Sequence, residues 1–201
     1  VTPVLAAKLH YTGFVAPPLP DDDLSAIGEG EIIVSAGGGN VGVHLYEAAL
    51  DAARMSKHNW RILIGGSDAS ALGRTLQETA PDNATVEPAR PDFRQLLQRA
   101  ACSVSLCGYN TALDVLQARC RAVFIPFDEG NEVEQGLRAQ SLSKRAEIST
   151  LLRSDLTVQT LLAQIEGVLA VPRPTAMDVE MSGAARSVQI TADLLEQRTH
   201  V

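Results

Sequence analysis

An α/β fold with a mostly parallel six-stranded sheet covered by helices on both faces is predicted by three observations. From residue 31 onward, short apolar runs alternate with longer stretches whose apolar residues recur at helical spacing. The runs have strand length and the stretches helix length, the pattern of successive right-handed βαβ units. A glycine-rich turn also joins the first run to the first helical stretch, at residues 37–42.

The elements follow in order. Residues 1–30 read as a leading segment or interdomain connector. Within it, LHYTGFV (9–15) has the pattern of a short strand, and APPLPDDD (16–23) is too rich in turn residues for regular structure. Residues 31–201 read as one domain that includes the C-terminal helix. EIIVSA (31–36) is a buried strand, and residues 41–57 form a helix with Leu45, Ala48, Ala49 and Ala52 on one face. WRILIGG (60–66) is the second strand, residues 69–80 a helix and ATVEP (84–88) the third strand. A short helix over 92–100 clusters Phe93, Leu96 and Leu97, and CSVSL (102–106) is the fourth strand. A helix over 111–119, the strand AVFIPF (122–127) and a helix over 131–145 come next, then a brief sixth strand, EIST (147–150). A strongly periodic helix covers 156–170; after the proline-rich break at 171–175, a last helix covers 182–197. The whole is a Rossmann-like three-layer sandwich.

Composition narrows the function classes. The 201 residues are 45% apolar and 20% charged, so the chain is globular and expected to be soluble. No apolar run approaches the ~20 residues that span a bilayer. The start has neither an initiator Met nor a basic segment ahead of an apolar one. It reads as a boundary set by cloning or by proteolysis, without a signal peptide. A net charge of −7 disfavours nucleic-acid binding, which needs clustered Lys and Arg. Cys102, Cys107 and Cys120 lack metal-ligand spacing and read as buried thiols in a reducing cytoplasm. His10, His44, His58 and His200 lack mutual metal spacing and read as surface or helix residues, although His44, just after the glycine loop, could face a cleft. Asp21, Asp22 and Asp23 read as a solvated linker rather than a cation site. No metal site is expected.

The loop holding Gly37, Gly38, Gly39, Asn40 and Gly42 spells G-x-G-x-x-G. Its glycines let the backbone approach a phosphate, and the helix behind it offers N–H groups and a positive dipole end. An NAD site also needs an acid closing the second strand. Asp68 arrives late, after two glycines and a serine, so the dinucleotide reading is weak and a ligand-free tight turn competes with it.

A second constellation is more specific. CGYNTALD (107–114) and EQGLRAQSL (134–142) resemble the donor-binding signature of family 28 glycosyltransferases, including predicted bacterial members with a G-Y-N-T motif. The resemblance runs from YTGFV to the last helix and implies the C-terminal, donor-binding half of a two-domain GT-B enzyme. It implies that Gly37 to Gly42, with Gly108, Asn110 and Thr111, hold the donor diphosphate. Arg90 and Phe93 would flank the base, Asp114 would stand in for the usual Glu on the ribose, and Glu134 and Gln135 would bind the donor sugar. It further implies a UDP-sugar donor, hexosyl transfer to an unidentified acceptor, no cofactor and no catalytic residue in this chain. The general base would lie on an N-terminal acceptor domain, in cis or on a separate subunit, and any peripheral membrane contact would come through that half.

The residues support these roles on their own terms: a strand ending in small residues before a helix start makes an anion site, and a carboxylate accepts two hydroxyls at once. Thr111 and Asp114 also read as a capping-box variant that needs no ligand. Three positions depart from the family: Leu106 where many members have His or Arg, Cys107 for Gly or Ser, and Arg119 in place of a helix-ending Gly. A sugar-nucleotide epimerase half and a non-catalytic nucleotide-binding or partner subunit are the alternatives.

Overall fold

The computed structural model describes residues 2–21, 26–37, 42–67, 69–130, 132–177 and 179–199. They fall into two compact units, Val1–Pro18 with Asp178–Val201, and Leu19–Met177.

In the first unit, α1 (Pro3–Ala6) begins with proline, whose fixed φ suits a first helical position, behind an N-cap Thr2 whose hydroxyl accepts from Leu5 N–H. The strand expected over 9–15 is reduced to one antiparallel bridge, Val15 to Ser182. Pairing stops there because its partner segment turns at once into a helix at Gly183, whose N–H donates to Phe14 C=O at 2.9 Å. A Cβ on Gly183 would lie 2.8 Å from the carbonyl oxygens of Gly13 and Phe14, so only glycine fits.

The second unit is the predicted sandwich. Its elements are β1 (Ile32–Ser35), α2 (Val43–Arg54), β2 (Trp60–Ile64), α3 (Ala69–Glu78), β3 (Ala84–Pro88), α4 (Phe93–Arg99), β4 (Cys102–Ser105), α5 (Tyr109–Ala118), β5 (Ala122–Phe124), α6 (Glu134–Leu142), β6 (Ile148–Thr150) and α7 (Val158–Leu169). In the first unit α8 (Gly183–Thr199) ends the described chain. All six strands pair in parallel in the order β3-β2-β1-β4-β5-β6. The order reverses between β1 and β4, where Ile32 pairs with Cys102 and Ser35 with Ser105. A crevice outside the carboxyl ends of these two strands is where such sheets bind ligands.

Alternation along each strand splits the core. Ile32, Val34, Ile62, Ile64, Cys102 and Val104 face one side with Leu45, Ala49, Leu161 and Ile165 of α2 and α7. The alternate residues Ile33, Leu63 and Phe124 are as deeply buried, as are Leu96, Leu97, Ala112 and Leu113 of α4 and α5.

Two basic residues close helix ends. Arg119, the C-cap of α5, takes the left-handed conformation (φ 53°, ψ 35°) that glycine usually occupies. Arg173, in the proline-rich break, donates to Leu97, Ala100 and Ala118 carbonyls at 2.8–2.9 Å, satisfying the C-terminal ends of α4 and α5 together. The three cysteines are free and buried. Among the described residues no helix is long and apolar enough to cross a membrane.

Candidate functional site

β1 delivers the chain to the crevice at Ala36 and Gly37, the latter at φ +74°. Gly38, Gly39 and Asn40 lie outside the described residues, as does Asp68. Gly42 is the N-cap of α2 at an ordinary φ of −102°. Its need for glycine is steric: a Cβ would fall 2.2 Å from Ala36 Cβ and 2.8 Å from the Tyr46 ring. Tyr46, buried one turn into α2, accepts from Gly65 N–H at 3.4 Å and also meets the Ala36 backbone, tying together the ends of β1 and β2. Burial raises its pKa, so the phenol stays neutral.

β4 delivers the opposite wall. Gly108 is the N-cap of α5 at φ −61° and ψ 153°, values open to any residue, and a Cβ there would meet only Thr111 Oγ1 at 4.0 Å. The turn itself therefore does not require glycine; the open space above the helix start does suit a closely approaching ligand. Ala112 N–H donates to Gly108 C=O at 2.9 Å, and no side chain caps the end. Among the described residues, the N–H groups of Asn110 and Thr111 find no partner. With the N-cap at Gly108, Thr111 is the third helical residue, so the capping box that Thr111 and Asp114 spell in sequence does not form.

Asp114 follows one turn later, its carboxylate Oδ1 3.0 Å from Arg94 Nε on α4. Arg94 also donates to Gln117 Oε1 at 2.7 Å. Burial raises the Asp114 pKa above the ordinary carboxylate value, and the Arg94 charge and hydrogen bond oppose the rise. Sequence reasoning missed Arg94; the available signal was an acid inside an apolar helix, which needs a cation.

A cavity of about 210 Å³ joins these parts, with Ser35 and Leu63 as its floor and Gly37, Arg90, Phe93, Thr111 and Asp114 around it. Five of the predicted site residues thus share one concavity at the switch point. Arg90 is already committed: Nε and Nη2 grip the two Asp92 oxygens at 2.8 Å, and Nη1 reaches Glu87 at 3.4 Å. Glu87 in turn pairs with Arg61, which also holds Glu31. This network fixes the 89–92 loop and leaves its backbone, rather than the Arg90 charge, to meet a ligand.

Glu134 and Gln135 do not line that cavity. Gln135 Oε1 accepts from Phe127 N–H at 3.2 Å, and the Glu134 side chain is 80% exposed, 3.6 Å from Arg138. Glu132 Oε1 accepts from the N–H groups of both, serving the start of α6 as a cap would. His44 does not line the cavity at Asp114; it borders a depression of about 430 Å³ with Asp51 and Arg153, and a small cavity with Leu106 and Phe127 at the ends of β4 and β5. A larger depression, about 480 Å³, lies at the β3 edge beside Ser70, Arg74 and Gln77. The smaller cavity is the one that lies at the switch point beside uncapped N–H groups. No group of acidic, His or Cys residues among those described could hold a metal ion.

The glycosyltransferase family 28 C-terminal domain matches residues 33–194. Among solved structures, MurG of Acinetobacter baumannii is 20% identical, with 86% of this chain and 51% of that one covered at a TM-score of 0.59. The glycotransferase of kitacinnamycin is 20% identical, covering 92% and 49% at 0.66. The glycosyltransferase VinC, solved in complex with dTDP, is 19% identical, covering 89% and 41% at 0.56. The chain thus spans about half the length of these proteins or less. No curated protein sequence matches it.

Proposed function

Since the chain belongs to the glycosyltransferase family 28 C-terminal domain, we propose that it binds the nucleoside diphosphate of a sugar donor in the cavity between β1 and β4. The observation that carries this reading is the meeting of Asp114, Thr111, Phe93 and Gly37 in one concavity beside an uncapped helix start. The apolar end, Leu63 and Phe93, suits a base; Asp114 suits ribose hydroxyls; the α5 N–H groups suit phosphate.

A UDP-hexose is the proposed donor. In the reaction, an acceptor oxygen bonds to the anomeric carbon, the bond from that carbon to the diphosphate breaks with inversion, and UDP departs. A base outside these 201 residues, on an acceptor domain, takes the acceptor proton. The helix start stabilises charge growing on the diphosphate without a metal ion. Glu134 and Gln135 would meet the sugar, Gln135 through the amide nitrogen left over from its bond to Phe127. By this reading the chain alone binds donor weakly and transfers nothing, and it works in the cytoplasm.

A dTDP donor is the second reading, favoured by the dTDP-bound VinC relative and by an Asp114 carboxylate already half engaged by Arg94. Thermal shift with UDP, dTDP, GDP and NAD separates these. A shift with UDP supports the first reading and a shift with dTDP alone the second; a shift with NAD alone refutes both.

A further inference from the structure

The turn from β4 into α5 is held from behind by α6. Arg138 Nη1 donates to Cys107 C=O at 2.7 Å, and its guanidinium lies over the Tyr109 ring, 5.7 Å from the centroid. Its Nη2 is 3.6 Å from Glu134 Oε2. A planar guanidinium can stack on a ring and donate from its edge at once, which fixes its position tightly.

Two consequences follow for the helix start. In a trans peptide the C=O and the next N–H point in opposite directions. By holding Cys107 C=O on the α6 side, Arg138 turns Gly108 N–H away from α6 and keeps a carbonyl from facing an anion. Gly108 has no side chain to resist a flip of that peptide, so an external clamp matters here.

The second consequence is charge. Arg90 and Arg94 are engaged by Asp92 and Asp114, whereas the Glu134 partner of Arg138 is 80% exposed and screened by water. Leu106, Asn110 and Thr111 carry no charge. The field of Arg138 already reaches its neighbour: burial pushes the Cys107 thiol up to about 11, and Arg138 opposes that rise.

We propose that Arg138 is the positioning residue and fixed cation that gives the β4–α5 turn its affinity for the phosphates of a nucleoside diphosphate. This rests on the donor-site reading above. It makes Arg138 a determinant of phosphate affinity and leaves base and ribose recognition to the Phe93 and Asp114 side of the cavity.

The test is titration of the wild-type chain, Arg138→Gln and Arg138→Lys with UDP and with uridine, dTDP and thymidine being run in parallel. Arg138→Gln should weaken diphosphate binding about 10- to 50-fold, the scale of a charge-assisted contact. Nucleoside binding should change less than about two-fold, because no phosphate is present for the lost charge to act on. Arg138→Lys keeps the charge without the fork and should fall between, which also covers the case in which the Gln variant does not fold. Equal losses for nucleoside and diphosphate, or unchanged diphosphate binding in Arg138→Gln, overturn the inference. Wild-type protein that binds neither ligand overturns the donor-site reading and this inference with it.

Discussion

Replacing Asp114 by Asn keeps the volume of the side chain and removes its charge, so it separates the carboxylate's role from its packing. The carboxylate is 3.0 Å from Arg94 and only 17% exposed. Breaking such a half-buried pair falls between the roughly 0–1 kcal/mol of surface pairs and the 3–5 kcal/mol of buried ones. Arg94 keeps its bond to Gln117, and burial outweighs the Arg94 attraction at Asp114, so removing the charge should change stability by less than about 1 kcal/mol. For a domain of this size Tm should move by no more than roughly 4 °C. The ligand effect should be larger: a charge-assisted bond to a ribose hydroxyl contributes about 1.5–3 kcal/mol, so UDP should bind some 10- to 150-fold more weakly. The pH dependence adds a signature. Burial raises the Asp114 pKa in the folded chain, so its folding contribution is fully present below the unfolded pKa and is lost as pH rises through the folded value. Donor binding runs the other way, because the ionised carboxylate is the better acceptor. Affinity should therefore fall on acidification at a pH above that of an ordinary Asp, and Asp114→Asn should flatten the profile. Calorimetric titration of both proteins from about pH 4 to 8 reads the affinity and its pH dependence, and thermal unfolding over the same range reads the stability. Unchanged UDP affinity in a folded Asp114→Asn variant would refute the ribose role.

Three further substitutions test the scaffold. Gly42→Ala places a methyl 2.2 Å from Ala36 Cβ; the overpacking should cost about 1–3 kcal/mol, and a Tm equal to wild type would contradict it. Arg173→Met keeps an apolar stem but leaves the Leu97, Ala100 and Ala118 carbonyls without their shared donor, so urea unfolding should show a loss of about 2–3 kcal/mol. Arg119→Gly relieves a left-handed residue but gives up a bond to Thr175 C=O. The relief of about 1–2 kcal/mol should exceed the exposed bond, so a net gain in Tm is expected and a net loss would show that the bond dominates.

What the sequence disclosed was set by local periodicity. Every strand and helix of the sheet unit follows from alternation or helical spacing in its own segment. The left-handed end of α5 was foreshadowed by Arg119 standing where family members place glycine. The strand expected over 9–15 shrank to one bridge because the length of a strand is fixed by its partner, and the partner becomes α8 almost at once. Tyr46 and Arg94 stayed hidden for the same reason: each acts on residues 10 to 23 positions away in the chain, across an interface that no local pattern encodes. Arg138 stands in the EQGLRAQSL motif, but its hold on Cys107, 31 positions away, is not legible there. Gly42 and Gly108 show the limit at single residues. The sequence assigns both to a ligand loop, yet one is required by its own neighbours and the other by nothing inside the protein.

On the proposed reading a nucleoside diphosphate occupies the cavity between β1 and β4. Backbone amide shifts of the isotope-labelled chain, followed by NMR during titration with UDP and with dTDP, test it most directly. Saturating shifts are expected at Gly37, Phe93, Gly108, Asn110, Thr111 and Asp114, with residues around His44 and the β3 edge near Arg74 unmoved. Shifts centred on either of those two depressions, with the α5 start silent, would contradict it.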